Sequence, residues 1–140
     1  MNISEQLLDI AINVNAILRN AASYQELSMS QAYFLLSVPS EGIPMAKLAV
    51  LLGIDASTLT RNFNKLQQMG YVNKSQDNND KRIFHIKLTQ EGDIIIDLLN
   101  SQIDNSISDI IQKIGIDEIH SIDEILEKLS WNMVVARSEI

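Results

Sequence analysis

A change of hydrophobic period at Gly70 constrains the fold of this chain more than any other feature of its sequence. Before Gly70, apolar residues recur every three or four positions, which is typical of amphipathic helices. After it, Tyr71–Gln76 and Arg82–Leu88 read as two strands, separated by the polar turn residues 77–81. The helical period returns at Thr89. The pattern predicts a mainly α-helical protein with one small β-hairpin, an α+β arrangement.

Four helices are predicted before the hairpin, because apolar residues share one face in each and turn residues separate them. They cover residues 3–18, about 30–38 (stopped by Pro39), 44–53 (Pro44 in the first turn, Gly53 at the end) and 56–69 (with Asp55 as the N-cap).

A long helix is predicted after the hairpin, with Thr89 as its N-cap and Gly115 as its breaker. Residues 90–114 would be roughly 37 Å long, whereas a compact chain of this size has a radius of gyration of about 14 Å. One subunit can hardly cover so long an apolar stripe, and a last helix from Asp117 repeats the pattern. We therefore expect the first and the last two helices to pack against a second copy of the chain. A monomeric helical bundle is the alternative.

Composition excludes several classes of protein. The 140 residues match one domain, and the absence of cysteine excludes disulfides, thiolate metal sites and cysteine nucleophiles. We do not expect the acidic start to be a signal peptide or any apolar run to cross a membrane, so a soluble cytoplasmic protein is expected. Neither His85 nor His120 lies in a catalytic or metal-binding motif. No catalytic residue, metal or cofactor is predicted, and the chain is not expected to be an enzyme.

Charge is unevenly distributed along the chain, whose net charge is −7. Residues 43–90 hold seven basic and three acidic side chains, a balance of +4, whereas the other residues hold four basic and fifteen acidic ones, a balance of −11. We interpret this as a basic module between acidic flanks, which favours a nucleic-acid partner for the module. A random fluctuation on a solvated surface is the alternative.

The spacing of Ala49, Gly53 and Leu59 is typical of a helix-turn-helix. A small residue lets the two helices approach, a glycine makes the turn, and an aliphatic residue fixes the angle. The spacing alone is common by chance. Together with a capped second helix and a polar-tipped hairpin, it predicts a winged helix-turn-helix, in which the hairpin is the wing.

The fourth helix has an apolar and a polar face. At 100° per residue, Leu59, Phe63 and Leu66 lie within about 60° of each other and are expected to face the core. The opposite face has no carboxylate, and its residue types suit purine edges and phosphates. The helix dipole at residues 56–58 is expected to attract a phosphate as well. This polar face comprises Ser57, Thr58, Thr60, Arg61, Asn64, Lys65 and Gln68.

At this point the chain resembles the MarR family of bacterial transcription regulators. The strongest matches are "DASTLTRNFNKLQQMGYV" at 55–72, the wing "DNNDKR" at 77–82 and "LTQEG" at 88–92. The resemblance implies a homodimer on pseudo-palindromic double-stranded DNA, with recognition helices in successive major grooves and wings toward the minor groove. The family's wing motif falls on Asp80, which would hold the wing by an ion pair, and on Arg82. The candidate DNA-binding residues are Ser57, Thr58, Thr60, Arg61, Asn64, Lys65, Asn79, Lys81 and Arg82.

The resemblance also implies a division of labour along the single domain 1–140. Residues 28–88 would form the DNA-binding lobe, and residues 1–27 and 89–140 the helical dimerisation region. Small aromatic or phenolic molecules regulate many members, and Tyr24, Met29 and Phe34 lie near the region expected for such a ligand, although residues of these types are more often core. The expected function is a sequence-specific regulator, a repressor. The alternative is an acidic helical dimer that binds a protein partner without recognising DNA.

Overall fold

The computed structural model describes residues 1–138, and within them it has six α-helices and three β-strands. In chain order these are α1 (Ile3–Tyr24), α2 (Met29–Leu36), β1 (Ile43–Pro44), α3 (Met45–Leu52), α4 (Ala56–Gln68), β2 (Val72–Gln76), β3 (Phe84–Leu88), α5 (Gln90–Gln112) and α6 (Ile116–Ser138). The mainly α-helical fold with a small antiparallel sheet confirms the predicted fold class.

The chain divides into two compact units, Met1–Ile103 and a second that begins at Asp104, so the boundary falls inside α5. The first unit contains the hydrophobic core. The second contains α6, in which no described residue is buried.

The core of the first unit is built from α1 to α5 and the sheet. Phe34 and Leu35 of α2 and Leu48 of α3 are completely buried, and so are Ile86 of β3 and Leu99 of α5. The inner face predicted for α4 is confirmed, since all three of its apolar residues are almost inaccessible to solvent; these are Leu59, Phe63 and Leu66.

The three strands form one antiparallel sheet in the order β1-β3-β2. In the hairpin, Val72 lies opposite Leu88 and Gln76 lies opposite Phe84. On the other edge of β3, Ile43 lies opposite Ile86. Strand β3 therefore pairs both with β2 of the wing and with β1, which leads into α3.

The structure differs from the sequence-based boundaries in several places. Helix α2 ends at Leu36 rather than at residue 38, and α5 ends at Gln112, before the predicted breaker Gly115. Helix α1 continues to Tyr24, because its last two turns bury small residues, Ala21 and Ala22, rather than large ones. Helix α2 begins earlier than expected because Ser28 caps it, with its hydroxyl accepting the N–H of Gln31. Pro44 belongs to β1 and is the N-cap residue of α3 rather than part of its first turn.

The turn between α3 and α4 has the predicted construction. Gly53 adopts a left-handed conformation, with φ of 68° and ψ of 33°, which glycine reaches without steric cost. The N–H of Ile54 then donates to the carbonyl oxygen of Ala49 at 3.1 Å, and closes the end of α3. Ala49 and Leu59 are both buried, as the helix-turn-helix spacing predicts.

No helix within residues 1–138 combines the length and the apolar character needed to cross a membrane.

Candidate nucleic-acid interface

Helix α4 packs its apolar face against α2, α3 and β2, and this packing sets the direction of its polar face. Ser57, Thr60, Arg61, Asn64 and Lys65 are all exposed, and Thr58 is half-buried. The structure thus places the predicted DNA-binding residues of α4 on one solvent-facing surface, which we call the recognition face.

The N-terminus of α4 is closed by Asp55. Its Oδ1 accepts the backbone N–H of Thr58 and the hydroxyl of Ser57, each at 2.7 Å. The hydrogen bond from the Thr58 N–H is the main reason why the pKa of Asp55 falls to about 2, with the side-chain bonds from Ser57 and Thr58 adding to it. The carboxylate is therefore charged at neutral pH and already occupies one amide of the helix end where a phosphate was expected.

Local contacts hold several side chains of the recognition face. The hydroxyl of Thr60 donates to the carbonyl oxygen of Ala56 at 2.9 Å. Nη2 of Arg61 donates to the hydroxyl oxygen of Thr58 at 3.2 Å, so the guanidinium lies along the first turn of the helix. This bond leaves most of the Arg61 donor fork available to a ligand.

A polar contact joins α4 to α2. Nδ2 of Asn62 donates to the hydroxyl oxygen of Ser30 at 3.0 Å. One turn further along α2, the hydroxyl of Tyr33 donates to Oδ1 of Asn15 in α1. Asn62 was not singled out from the sequence, because its partner lies in a separate helix.

The turn of the wing is stabilised by carboxylates. Oδ2 of Asp77 accepts the backbone N–H groups of Asn79 and Asp80, both at 2.9 Å. The N–H of Asp77 donates to the carbonyl oxygen of Ile83 at 2.8 Å, and the N–H of Ile83 donates to that of Asp80 at 3.0 Å. Sequence reasoning predicted the turn but assigned no role to Asp77.

Asp80 holds Arg82 by an ion pair. Its Oδ1 accepts Nε–H of Arg82 at 3.1 Å and its Oδ2 accepts an Nη2 donor at 3.1 Å. The backbone N–H of Arg82 also donates to Oδ1, at 3.0 Å. These bonds lower the pKa of Asp80 and raise that of Arg82. The Arg82 side chain remains 89% exposed, so it is oriented by Asp80 without being covered.

His85 lies on the wing and contacts Asp77. Its Nε2 is 2.9 Å from Oδ1 of Asp77, and both side chains are about three-quarters covered. The sequence indicated a satisfied or surface histidine, but not its partner. The pairing depends on the hairpin register, which sets Ser75 opposite His85 and brings Asp77 alongside.

The other face of the hairpin carries an aromatic contact. Nζ of Lys74 lies 4.8 Å from the ring centroid of Phe84, a cation–π arrangement between β2 and β3. It extends the sheet face that begins with the buried Val72 and Ile86 toward the wing tip.

The residues considered for a ligand differ in their burial. Phe34 is completely buried in the core, Tyr24 is exposed, and Met29 packs against the core. A mainly apolar cleft of about 360 Å³ lies elsewhere in the first unit, beside α2 and the end of α3. It is lined by Ser30, Tyr33, Ser37, Leu51, Leu52 and Ile54. Within residues 1–138, no group of three or more acidic or histidine side chains is placed to hold a metal ion.

The comparisons with known proteins agree with this geometry. Residues 39–84, which cover the helix-turn-helix and most of the wing, match the model of the MarR family. A crystal structure of MarR superimposes with a TM-score of 0.84 at 21% identity, over 100% of this chain and 96% of that one. A MarR protein from Peptoclostridium difficile gives 0.81 at 26% identity, over 99% and 92%.

A third structure was determined with nucleic acid. It is a mutant MarR from E. coli complexed with operator DNA, and it superimposes with a TM-score of 0.72 at 22% identity, over 91% of this chain and 92% of that chain. The family match and the shared fold lead to one conclusion: residues 39–84 match the MarR family, and the whole chain has the winged-helix fold of the MarR structures.

Proposed function

We propose that this chain is a sequence-specific DNA-binding repressor that acts in the cytoplasm as a homodimer on a pseudo-palindromic site. The observation that carries the proposal is the recognition face, an exposed polar surface without a carboxylate among its residues 57–68. Such a surface suits base edges and phosphates, and repels neither. The operator complex of the E. coli relative, which shares the fold, supports the same assignment.

The recognition helix α4 is proposed to enter the major groove. Arg61 would address a base edge through the donor fork that its contact with Thr58 leaves available, while Lys65 would contact a phosphate. Ser57, Thr58 and Thr60 would exchange their local hydrogen bonds for phosphate or base contacts. Asn64 would contribute a further base contact.

The wing is proposed to reach toward the minor groove. Arg82 would extend from its ion pair with Asp80 to the DNA backbone or groove. Asn79 and Lys81 precede it in the turn, and both are exposed. Asp80 itself would support the wing and would not touch DNA, since a carboxylate facing phosphates is repelled.

The remaining helices are proposed to form the dimer. In this division, residues 28–88 are the DNA-binding lobe, and residues 1–27 and 89–140 the dimerisation region. The exposure of apolar residues in α1 and in α6 supports it; these are Ile3, Leu8, Ile10, Ile12 and Val14 in α1, and Ile122, Ile125, Leu126, Trp131 and Met133 in α6.

Regulation by a small aromatic or phenolic ligand completes the proposal. The cleft beside α2 has the size of a small-molecule site, which is roughly 300–1,000 Å³, and it combines apolar walls with the hydroxyls of Ser30, Tyr33 and Ser37. Because Ser30 is also bonded to Asn62 of α4, a ligand here would act on the recognition helix.

The test is a titration of the protein into a labelled duplex from upstream of its own gene, beside a scrambled duplex, at two salt concentrations. We expect salt-dependent binding with a preference for one sequence, since affinity without preference follows from charge alone. If the upstream duplex is not preferred, selection from random duplexes will locate the site. Failure of that selection would contradict the proposal and would favour the dimer that binds a protein partner. The same assay serves to screen ligands.

Variants assign the contacts. Arg61→Ala is expected to lose about 1–3 kcal/mol of discrimination between the preferred and scrambled duplexes. Lys65→Ala should weaken both duplexes alike and reduce the salt dependence. Lys128→Ala, which removes the same charge from α6, is the matched control and should change neither. Equal losses on both duplexes for Arg61→Ala would contradict its role at a base edge.

A further inference from the structure

The Asp77 carboxylate contacts two parts of the wing, the turn and strand β3, which are also joined by backbone hydrogen bonds and by the bond from Nε2 of Gln76 to the carbonyl oxygen of Lys81. One oxygen, Oδ2, accepts the N–H groups of Asn79 and Asp80, and thereby holds the turn. The other, Oδ1, meets Nε2 of His85, which is part of β3. The turn is thus tied to the sheet by a side chain as well as by the backbone.

Asp77 is connected to Arg82 through Asp80. Asp77 holds the backbone of Asp80 at 2.9 Å, and the Asp80 carboxylate then accepts three hydrogen bonds from Arg82. Arg82 itself is 89% exposed, so no packing fixes its direction. Its orientation depends on where Asp80 lies, and Asp80 is held by Asp77 through its N–H and by the N–H of Ile83 through its carbonyl oxygen.

We propose that Asp77 and His85 are positioning residues for DNA binding, which orient Arg82 before it meets the duplex. The inference rests on the proposed function, in which Arg82 is a contact of the wing. A long cation on a mobile turn loses conformational freedom when it binds, and a turn that is already ordered avoids part of that loss. Removing the pair therefore weakens binding although neither residue touches DNA.

The charged surroundings decide how the pair responds to pH. The strand neighbours in register with His85 are Ser75 in β2 and Pro44 in β1, and neither ionises. Lys87 lies two residues further along the same face of β3. In the turn, Asp80 and Arg82 are paired with each other.

The Asp77 carboxylate can accept a hydrogen bond from Nε2–H of His85 in both protonation states of the histidine. The N–H of Asp80, then the His85 side chain, then the N–H of Asn79 lower the pKa of Asp77, so its carboxylate is charged at neutral pH. A neutral imidazole donates through Nε2–H, and a protonated one does the same. The wild-type contact is therefore preserved in both protonation states of His85.

Asp77→Asn separates the two states. The amide keeps an oxygen for the turn but places its NH₂ group against Nε2 of His85. A neutral His85 can accept that hydrogen bond, whereas a protonated His85 cannot, because both atoms then carry hydrogen. The variant is expected to bind the preferred duplex within about twofold of wild type at pH 8, and about tenfold more weakly than wild type at pH 5.5. The comparison with wild type at each pH corrects for pH effects elsewhere in the chain.

Two further variants test the route. In an Arg82→Ala background, Asp77→Asn should cause no additional loss at pH 5.5, because the residue that it orients is gone. His85→Gln, whose amide can still donate to Asp77, should bind like wild type at both pH values. Unfolding midpoints at pH 5.5 identify any variant that has simply lost its fold. If Asp77→Asn has done so, His85→Leu, whose side chain cannot donate to Asp77, carries the test and should bind the preferred duplex more weakly than His85→Gln.

A measurement without DNA separates this inference from the proposed function. In nuclear magnetic resonance spectra, Nε–H of Arg82 and the amides of Asn79 and Asp80 should exchange faster with solvent in Asp77→Asn than in wild type at pH 5.5, but not at pH 8. Unchanged exchange would show that the contact between Asp77 and His85 does not order the turn. A loss of affinity that persists in the Arg82→Ala background would show that the contact does not act through Arg82. If wild-type protein prefers no selected duplex, the proposed function and the DNA-binding role of this pair are both wrong. The exchange data would still show whether Asp77 and His85 order the turn.

Discussion

Gly92 has no side chain, and this allows α5 to begin directly against the segment that follows α4. A Cβ added to Gly92 would lie 2.2 Å from the carbonyl oxygen of Tyr71 and 3.1 Å from its carbonyl carbon. Around this contact, the Thr89 hydroxyl donates to the carbonyl oxygen of Gly70 at 2.5 Å and accepts the N–H of Gly92 at 3.0 Å. Residues 70–71, the cap residue Thr89 and the first turn of α5 are therefore in direct contact. The atom that an added Cβ would meet first is a backbone oxygen, which cannot move aside as a flexible side chain can.

Gly92→Ala is expected to destabilise the fold by about 3 kcal/mol, because a methyl group forced onto a backbone carbonyl must displace the helix or the strand. Urea unfolding followed by circular dichroism measures the loss. Gly115→Ala is the matched control, since a Cβ there meets only the Glu118 carboxylate, at 3.5 Å. Equal stability of the two variants would show that the junction is looser than described.

Among individual residues, the sequence predicted only interactions between near neighbours in the chain. Thr89 was predicted as the N-cap of α5 and is bonded as a cap. The contact of Gly92 with Tyr71 and the pairing of Asp77 with His85 were not predicted, because both depend on strand register, which no short stretch of sequence specifies.

At the scale of the element, the recognition helix depends on an acidic cap at a site where it is proposed to meet an acidic polymer. The Asp55 carboxylate satisfies the N–H of Thr58 and stabilises the positive end of the helix dipole. Its charge is thus useful for folding and unfavourable for phosphate binding at the same place.

The pH dependence of stability should report this cap. Because the folded pKa of Asp55 is about 2, below its ordinary value of 3.8, its charge stabilises the fold above about pH 4, and that contribution is lost as the pH falls toward 2. Asp55→Asn keeps a capping oxygen but does not titrate. The difference in unfolding free energy between wild type and Asp55→Asn should therefore favour wild type at pH 7 and shrink steadily between pH 4 and pH 2. A difference that is constant with pH would contradict the shift.

Helices were easier to predict than short strands. The amphipathic period located α4 within a residue of its observed end, whereas α1 extends six residues beyond the predicted Leu18 because Ala21 and Ala22 are too small to mark a hydrophobic face. Strand β1 was missed altogether, since two residues carry no period and Ile43 finds its partner only through β3.

At the scale of the whole molecule, apolar surface remains without a partner in one chain. Of the stripe predicted along the first helix, only Leu18 is buried, and in α6 no described residue is buried. The exposed apolar residues of α6 include Ile122, Leu126 and Met133, which recur at helical spacing. Surfaces of this kind favour association with a second copy.

Leu126→Asp is expected to convert a dimer into single chains at micromolar concentration, because burying a charge in an apolar interface is costly. Sedimentation equilibrium measures the mass. Ser121→Asp adds the same charge about 120° around the helix from the apolar stripe, and it should leave the mass at that of two chains. A wild-type mass equal to one chain would refute the proposed dimer outright, and Leu126→Asp without effect would place the interface elsewhere.

The pairing of β1 with β3 has a consequence for synthesis on the ribosome. Ile43 has its partner in Ile86, and the whole helix-turn-helix and the first wing strand lie between them in the chain. Local helices can form as soon as they emerge, but a pairing between distant residues has to wait for the later one. A nascent chain that ends before Phe84 can therefore hold folded helices and an unpaired β1 at once, so the proposed DNA-binding lobe is completed in a single late step, when its central strand leaves the exit tunnel.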